Sequence, residues 1–131
     1  MSSYLTEPPV SKGMRWAGRV VSILPVLVFL MSASFKFIQP PDFADGLAHM
    51  GWDPGTMFYI GFLEITCAVL YVIPRTSVLG AILLTAYMGG AVATHVRVGD
   101  PYFVQVLVGV LIWLGLFLRD TRIRNLIPFT R

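Results

Sequence analysis

Four long apolar runs constrain the fold of this chain more than any other feature of its sequence. They comprise residues 20–37, 57–73, 78–96 and 102–118. Each has about 17–19 residues, and an α-helix of that length just crosses a hydrocarbon core about 30 Å thick. Helices of a soluble protein would need polar faces for water, which these runs lack. The sequence therefore predicts an all-α integral membrane protein, a bundle of four spans.

The low charge content agrees with this fold class. Only 13% of the 131 residues are charged, whereas soluble domains carry about 25% charged residues. The length allows a single domain. We expect residues 1–17 to form a flexible cytoplasmic tail, residues 18–120 the transmembrane domain, and residues 121–131 a basic cytoplasmic tail.

The basic residues are unevenly distributed between the two sides that four spans create. The sequence pI of about 9.4 would by itself allow nucleic-acid binding. Yet eight cations fall before span one, after span four, or in the turn between spans two and three, and only Arg97 lies in a loop on the other side. The eight are Lys12, Arg15, Arg19, Arg75, Arg119, Arg122, Arg124 and Arg131. The positive-inside rule then predicts that both termini are cytoplasmic. The basic charge of the chain would contact lipid headgroups, not nucleic acid.

Two of the three connections between spans carry structural information. In residues 39–55, the apolar Phe43, Leu47 and Met50 recur at helical spacing among polar neighbours. This pattern predicts a short amphipathic helix at the outer interface. The second connection, residues 74–77, is so short that spans two and three must form an antiparallel hairpin of adjacent helices.

Span three is rich in small residues at a spacing of four. Ala81, Thr85, Gly89 and Ala93 form one row, and a second row begins at Ala86. Rows of this kind let helix backbones approach closely in lipid. We therefore expect span three to be the central helix of the bundle.

Three strongly ionisable side chains fall within the spans or at their ends: Lys36, Glu64 and His95. The predicted topology places Lys36 and His95 at the outer ends of spans one and three. Glu64 lies about 12 Å below the outer end of span two, and its side chain leans outward, toward the helix N-terminus. All three can therefore meet in the outer half of the bundle and form a polar ligand-binding pocket.

Each of these residues also has a structural interpretation. Lys36 can reach the headgroups from a span end, and His95 also lies near an end. A protonated Glu64 can hold helices together through a hydrogen bond to a carbonyl. We expect no metal site, because Glu64, His95 and the distant His49 are too few suitable ligands.

A series of short motifs occupies residues 63–96. It consists of Leu63-Glu64, Pro74-Arg75, Gly80-Ala81 with Leu83-Leu84, Gly89-Gly90-Ala91, and His95. Together with "SASFKFIQP" in span one, this series resembles the DoxX-like family of small four-span bacterial membrane proteins. The resemblance extends over about residues 20–118.

The resemblance implies the four-helix membrane fold and, less directly, a redox role. The family name traces to a subunit of a quinone-linked thiosulfate oxidoreductase, and other relatives are linked to redox homeostasis or act as assembly factors. Quinone is the redox cofactor that the chain could host, with Glu64 or His95 as its proton partner.

The first functional hypothesis is a pocket of Lys36, Glu64 and His95 that binds a small quinone-like or amphipathic ligand. Such a protein would suit a subunit of a membrane redox complex, or a homo-oligomer. The alternative is a non-enzymatic partner or assembly factor that uses the small-residue face of span three. A transporter subunit is disfavoured, because four short spans leave little room for alternating access. Whether any reaction is catalysed stays open.

Overall fold

The computed structural model describes residues 9–130, which form six α-helices and, within that range, no β-strand. The helices are α1 (Lys12–Ile38), α2 (Phe43–Met50), α3 (Pro54–Val72), α4 (Ser77–Val98), α5 (Phe103–Arg119) and α6 (Thr121–Leu126). Helices α1, α3 and α4 are long and apolar enough to cross a membrane, and α5 is a shorter apolar helix of 17 residues. The predicted all-α membrane bundle is confirmed.

Local sequence determines where the helices begin and end. The Asp53 carboxylate accepts hydrogen bonds from the Thr56 backbone N–H at 2.9 Å and from its hydroxyl at 2.5 Å. Pro54 follows at the first helical position, where a missing N–H costs nothing. The hydrogen bonds, above all the one from the Thr56 side chain, lower the pKa of Asp53. Gly51 and Gly99 end α2 and α4 with φ angles of 80° and 78°, a conformation that glycine adopts without strain.

The four long helices form a closed ring in which each packs against two others. Helix α1 packs against α3 and α5, and α4 packs against the same two helices. The turn between α3 and α4 confirms the predicted hairpin. Consecutive long helices run antiparallel, so both ends of the described chain lie at one end of the bundle, called here the terminal end. Helix α2 lies at the opposite end, called here the α2 end.

The prediction that span three is the central helix is wrong. In the ring, α4 has two long neighbours, as every other long helix does. Its buried residues are Ser77, Gly80, Ala81 and Leu84, all close to the turn after α3. Farther along, Gly89 is exposed, and a Cβ built there would meet no described atom within 4 Å. The small-residue rows therefore extend well beyond the part of α4 that packs inside the chain.

Glycines near the terminal end make the closest helix contacts. A Cβ added to Gly18 of α1 would lie 2.8 Å from the backbone nitrogen of Arg119 in α5. A Cβ added to Gly80 of α4 would lie 2.8 Å from the carbonyl carbon of Leu70 in α3. A Cβ atom this close to another backbone would overlap with it, so glycine is required where α1 crosses α5 and where α4 crosses α3.

Tyr71 ties three helices together in the core. Its hydroxyl donates to the Ile112 carbonyl of α5 at 2.7 Å and lies 3.2 Å from Ser22 Oγ of α1. The Arg119 guanidinium donates to the Tyr71 carbonyl at 3.2 Å. Buried hydroxyls of this kind need such partners, and here they fix α3 against α1 and α5.

The outer surface of the ring is apolar. All four long helices expose large hydrophobic side chains, among them Leu27 of α1, Phe62 of α3, Ile82 of α4 and Val110 of α5. Apolar surface of this extent is rare on soluble monomers. It is the surface that faces lipid.

The chain after α5 contains a helix that the sequence did not predict. Ile123 of α6 is buried in the core cluster. Arg124 donates to the carbonyls of Phe117 and Leu118 at 2.8 and 2.6 Å, which satisfies carbonyls left free at the end of α5. Part of the expected basic tail is therefore docked against the bundle.

The expected flexible tail of residues 1–17 lies only partly within the structure. Residues 1–8 are outside the described residues, as is Arg131. Helix α1 begins at Lys12, and the Ser11 hydroxyl accepts a hydrogen bond from the Met14 N–H at 3.2 Å. The last six residues of the expected tail are therefore helical.

Candidate ligand-binding site

A cavity of about 460 Å³ lies between the four long helices at the α2 end of the bundle. This volume is within the range of small-molecule sites. The wall is largely apolar and is interrupted by a few polar side chains. They are Ser32, Lys36, Glu64, Tyr87, Thr94, His95 and Gln105. The structure thus brings the three side chains that the sequence singled out to one cavity.

Lys36 and Glu64 form an ion pair inside the bundle. Lys36 Nζ lies 3.0 Å from Glu64 Oε2, and the two side chains are 12% and 1% exposed. The pair joins the last turn of α1 to the middle of α3. Each charge offsets part of the cost of burying the other. Because the charges cancel, the pair adds no net charge to the cavity.

Two hydroxyl side chains surround this ion pair. The Lys36 ammonium donates to Ser32 Oγ at 2.6 Å, one turn earlier on α1. The same ammonium lies 6.0 Å from the ring centroid of Tyr87 on α4. The hydroxyls of Ser32 and Tyr87 face the Glu64 carboxylate. Side chains from α1 and α4 therefore enclose a carboxylate carried by α3.

His95 and Gln105 form a second polar group in the cavity. His95 Nδ1 lies 2.7 Å from the Ala91 carbonyl, which can only accept, so Nδ1 carries a hydrogen. In the neutral ring Nε2 is then an acceptor, and it receives an N–H from the Gln105 side chain at 3.1 Å. This arrangement joins α4 to α5 and leaves Gln105 Oε1 as an acceptor.

Two acceptor atoms of cavity-lining residues have no hydrogen-bond partner among residues 9–130. They are Glu64 Oε2 and Gln105 Oε1, and both are buried. Glu64 Oε2 lies 3.0 Å from the Lys36 ammonium, so its charge is paired, whereas Gln105 Oε1 has no described donor beside it. Buried polar atoms are nearly always satisfied. The cavity is therefore suited to a ligand that carries hydrogen-bond donors.

Helix α2 covers one end of the cavity. Its residues Leu47 and Met50 line the cavity wall, and the predicted short helix in this connection is confirmed. Two contacts attach α2 to the end of α4. The Arg97 guanidinium donates to the Met50 carbonyl, and His49 Nε2 lies 3.1 Å from an oxygen of Asp100.

Sequence reasoning missed Gln105, Ser32 and Tyr87 as members of this site. Gln105 is the one amide in the apolar run of span four, a signal as clear as that of Glu64. Ser32 precedes Lys36 by four residues and therefore shares its helix face. Tyr87 carried no such signal, because aromatic residues are common in membrane helices.

His49, considered as a distant metal ligand, pairs with Asp100 on the far side of α2. Within the described residues, no three His, Cys, Asp or Glu side chains are grouped so that they could hold a metal ion.

The fold and the cavity together define a class: a small helical membrane protein with a largely apolar pocket that carries a few polar side chains between its helices. The chain belongs to the DoxX-like family, whose defining sequence pattern matches residues 20–118. The resemblance carried by residues 63–96 is thus confirmed. No curated protein and no solved structure matched the chain.

Proposed function

We propose that this protein binds a small amphipathic, quinone-like ligand in the cavity at the α2 end. The polar head of the ligand lies at Lys36, Glu64 and the His95–Gln105 pair, and its apolar part contacts the rest of the wall. Support comes from the cavity volume, its largely apolar lining, and the convergence of these side chains from all four long helices.

The observation that carries the proposal is the buried acceptor Gln105 Oε1, which has no hydrogen-bond partner among the described residues and lines the same cavity as the Lys36–Glu64 pair. An acceptor buried without a donor costs about 1–3 kcal/mol. A head group with hydroxyl donors, such as the reduced form of a quinone, would satisfy Gln105 Oε1 and would offer a second donor to the Glu64 carboxylate. The neutral ion pair at Lys36 also favours a head group without net charge.

Each side chain has a separate role in this proposal. Lys36 favours the ionised form of Glu64, in which Glu64 can accept a hydrogen bond or a proton from a ligand hydroxyl. Both ring nitrogens of His95 already have partners; His95 therefore orients Gln105, which contacts the ligand. In a redox role, electron transfer would involve a partner subunit of a membrane complex.

The proposal is tested with a hydroquinone that carries a decyl chain, titrated against the purified protein in mild detergent. Trp52 lines the cavity, so its fluorescence reports binding. We expect Glu64→Gln and Gln105→Leu each to weaken binding by about tenfold or more, through a lost hydrogen bond.

Thr66→Val is the matched control on α3. Thr66 is exposed, and its hydroxyl donates to the Phe62 carbonyl of its own helix at 2.8 Å. This variant should bind like the wild type. Failure of the wild type to bind the probe, or equal binding by Glu64→Gln, would contradict the proposal.

For localisation we propose the bacterial inner membrane, with both termini in the cytoplasm. The structure gathers the ends of the described chain at the terminal end, and most cations lie there. Such a bias favours the cytoplasmic side.

A second candidate function is a partner or assembly factor that docks through the small-residue face of α4. The observation in its favour is that Gly89 and Gly90 are exposed, and a Cβ built at either would meet no described atom within 4 Å. Substituting Gly89 by Leu distinguishes the two functions. It should abolish association with a partner and leave binding of the decyl hydroquinone intact.

A further inference from the structure

The cavity also reaches the lipid-facing surface of the bundle, away from the end that α2 covers. Leu63 of α3, Ala86 of α4 and Gly90 of α4 line the cavity, and all three are exposed. A residue that lines a cavity and is also exposed marks a place where that cavity opens. Because these residues lie within the spans, this opening faces lipid.

The flank of α4 that bears Gly90 faces α3. Residues of an α-helix follow one another at about 100°, so Gly90 lies about 140° around α4 from His95. The ring of His95 contacts Gln105 of α5. Gly90 also lies about 80° around α4 from Gly80, where an added Cβ would meet the backbone of Leu70 in α3, so Gly90 lies on the α3 side.

The flank of α3 that bears Leu63 faces α4. A Cβ at Gly61 would lie 3.1 Å from Phe37 of α1 and 3.3 Å from Lys36 of the same helix. Leu63 lies about 200° around α3 from Gly61. Leu63 also lies about 20° around α3 from Leu70, whose backbone a Cβ at Gly80 of α4 would meet, so Leu63 points to the α4 side and the opening lies between α3 and α4.

Helices α3 and α4 pack tightly near the turn that joins them. Next to the turn, a Cβ at Gly80 would lie 2.8 Å from the backbone of Leu70. At Gly90, ten residues farther along α4, a Cβ would meet no described atom within 4 Å. The contact between α3 and α4 is therefore tight next to the turn and open at Gly90, and the gap at Gly90 belongs to the cavity that Lys36 and Glu64 line.

We propose that the ligand enters the cavity sideways from the bilayer, through the gap between α3 and α4 at Leu63, Ala86 and Gly90. This rests on the proposed function and narrows its ligand to a membrane-resident amphiphile. The uncharged polar head passes through the gap to Lys36 and Glu64, and a long apolar chain remains in the gap and in the lipid.

The matched variants Gly90→Phe and Gly89→Phe test this route. Both glycines are exposed, and a Cβ at either meets no described atom within 4 Å, but only Gly90 lines the cavity. The proteins are placed in phosphatidylcholine nanodiscs with Trp16→Phe and Trp113→Phe, so that Trp52 alone reports. Stopped-flow fluorescence then follows binding of decyl hydroquinone and of hydroquinone without a chain.

We expect Gly90→Phe to slow association of the decyl probe about tenfold or more, while Gly89→Phe behaves like the unsubstituted protein. Unchanged association in Gly90→Phe, or equal slowing in both variants, would overturn the lateral route. Both of these outcomes differ from failure of the proposed function. In that case the decyl probe would not bind even the unsubstituted protein. If Gly90→Phe slowed association of the chainless probe as much as that of the decyl probe, the placement of the apolar chain in the gap would be overturned.

Discussion

At the scale of single residues, Lys36 and Glu64 depend on each other. Glu64 is 1% exposed and its carboxylate lies 3.0 Å from the Lys36 ammonium. Removing one partner of a buried pair leaves an uncompensated charge, which costs more than removing both. The pair therefore has a stability signature that is independent of any ligand.

We predict that Lys36→Met lowers the free energy of unfolding by about 3 kcal/mol, and that adding Glu64→Gln recovers most of the loss. Thermal unfolding in detergent, followed by circular dichroism, measures both effects. The exposed Lys12→Met on the same helix serves as control and should be neutral. A single variant as stable as the wild type, or a double variant no better than the single one, would refute this coupling.

Among these residues, sequence reasoning found the charged members of the site and missed the neutral ones. Lys36 and Glu64 are conspicuous because a charge within a span is costly. Burying the neutral side chains of Gln105 and Ser32 costs less free energy. Whether they belong to the site depends on how each helix is rotated and on which side chains then lie beside them. For His95, the sequence predicted its place but not its hydrogen bonds to Ala91 and Gln105.

At the scale of helices, Gly80 and Gly89 on α4 should respond oppositely to substitution. A Cβ at Gly80 would overlap the backbone of α3, so we predict that Gly80→Ala costs about 2 kcal/mol or more of stability. Gly89 has open space, and Gly89→Ala should gain up to about 1 kcal/mol from helix propensity. Thermal unfolding of the two variants side by side gives the comparison. Equal effects of the same sign would be inconsistent with the described packing.

Docking of α6 should depend on pH. The side-chain hydrogen bond from Arg122 is the main reason that the pKa of Asp120 is lowered. A carboxyl whose pKa is lowered in the folded state stabilises the fold at any pH above the ordinary pKa of that group. This stabilisation is lost as the pH falls through the lowered pKa. We predict that α6 stays protected at neutral pH and loses protection below about pH 4.

Hydrogen exchange of residues 121–126 measures this protection. Asp120→Asn should lose it at neutral pH, whereas Asp45→Asn on α2 should not affect α6. Protection that is unchanged in Asp120→Asn would contradict this prediction and leave the buried Ile123 and the Arg124 hydrogen bonds to hold α6 in place.

The long helices and α2 could be predicted from sequence because hydropathy, periodicity and a four-residue turn determine them locally. Which small residues are buried could not be predicted from the sequence, because burial depends on which part of α4 packs against a neighbouring helix. Gly80 and Gly89 look alike in sequence, and only the first lies in a helix contact. Helix α6 was missed because six residues are too few for a clear period.

At the scale of the whole molecule, the ring places the ends of the described chain together and α2 at the opposite end. We predict that a fluorescent protein fused after Arg131 folds in the cytoplasm. In a Cys67→Ala background, a thiol introduced by Gly46→Cys on the exposed face of α2 should react with an impermeant maleimide in intact cells. A non-fluorescent fusion after Arg131 and a protected Gly46→Cys would mean the reverse orientation.

The central claim is that the cavity beside Lys36 and Glu64 holds an amphiphile drawn from the membrane. The most direct test is native mass spectrometry of the protein purified in mild detergent from its own membranes, with the bound organics then extracted and identified. We predict that the wild type retains a small hydroxyl-bearing amphiphile and that Glu64→Gln, although folded, has lost it. An equally empty or equally occupied cavity in both proteins would contradict the claim and leave Glu64 a purely structural residue.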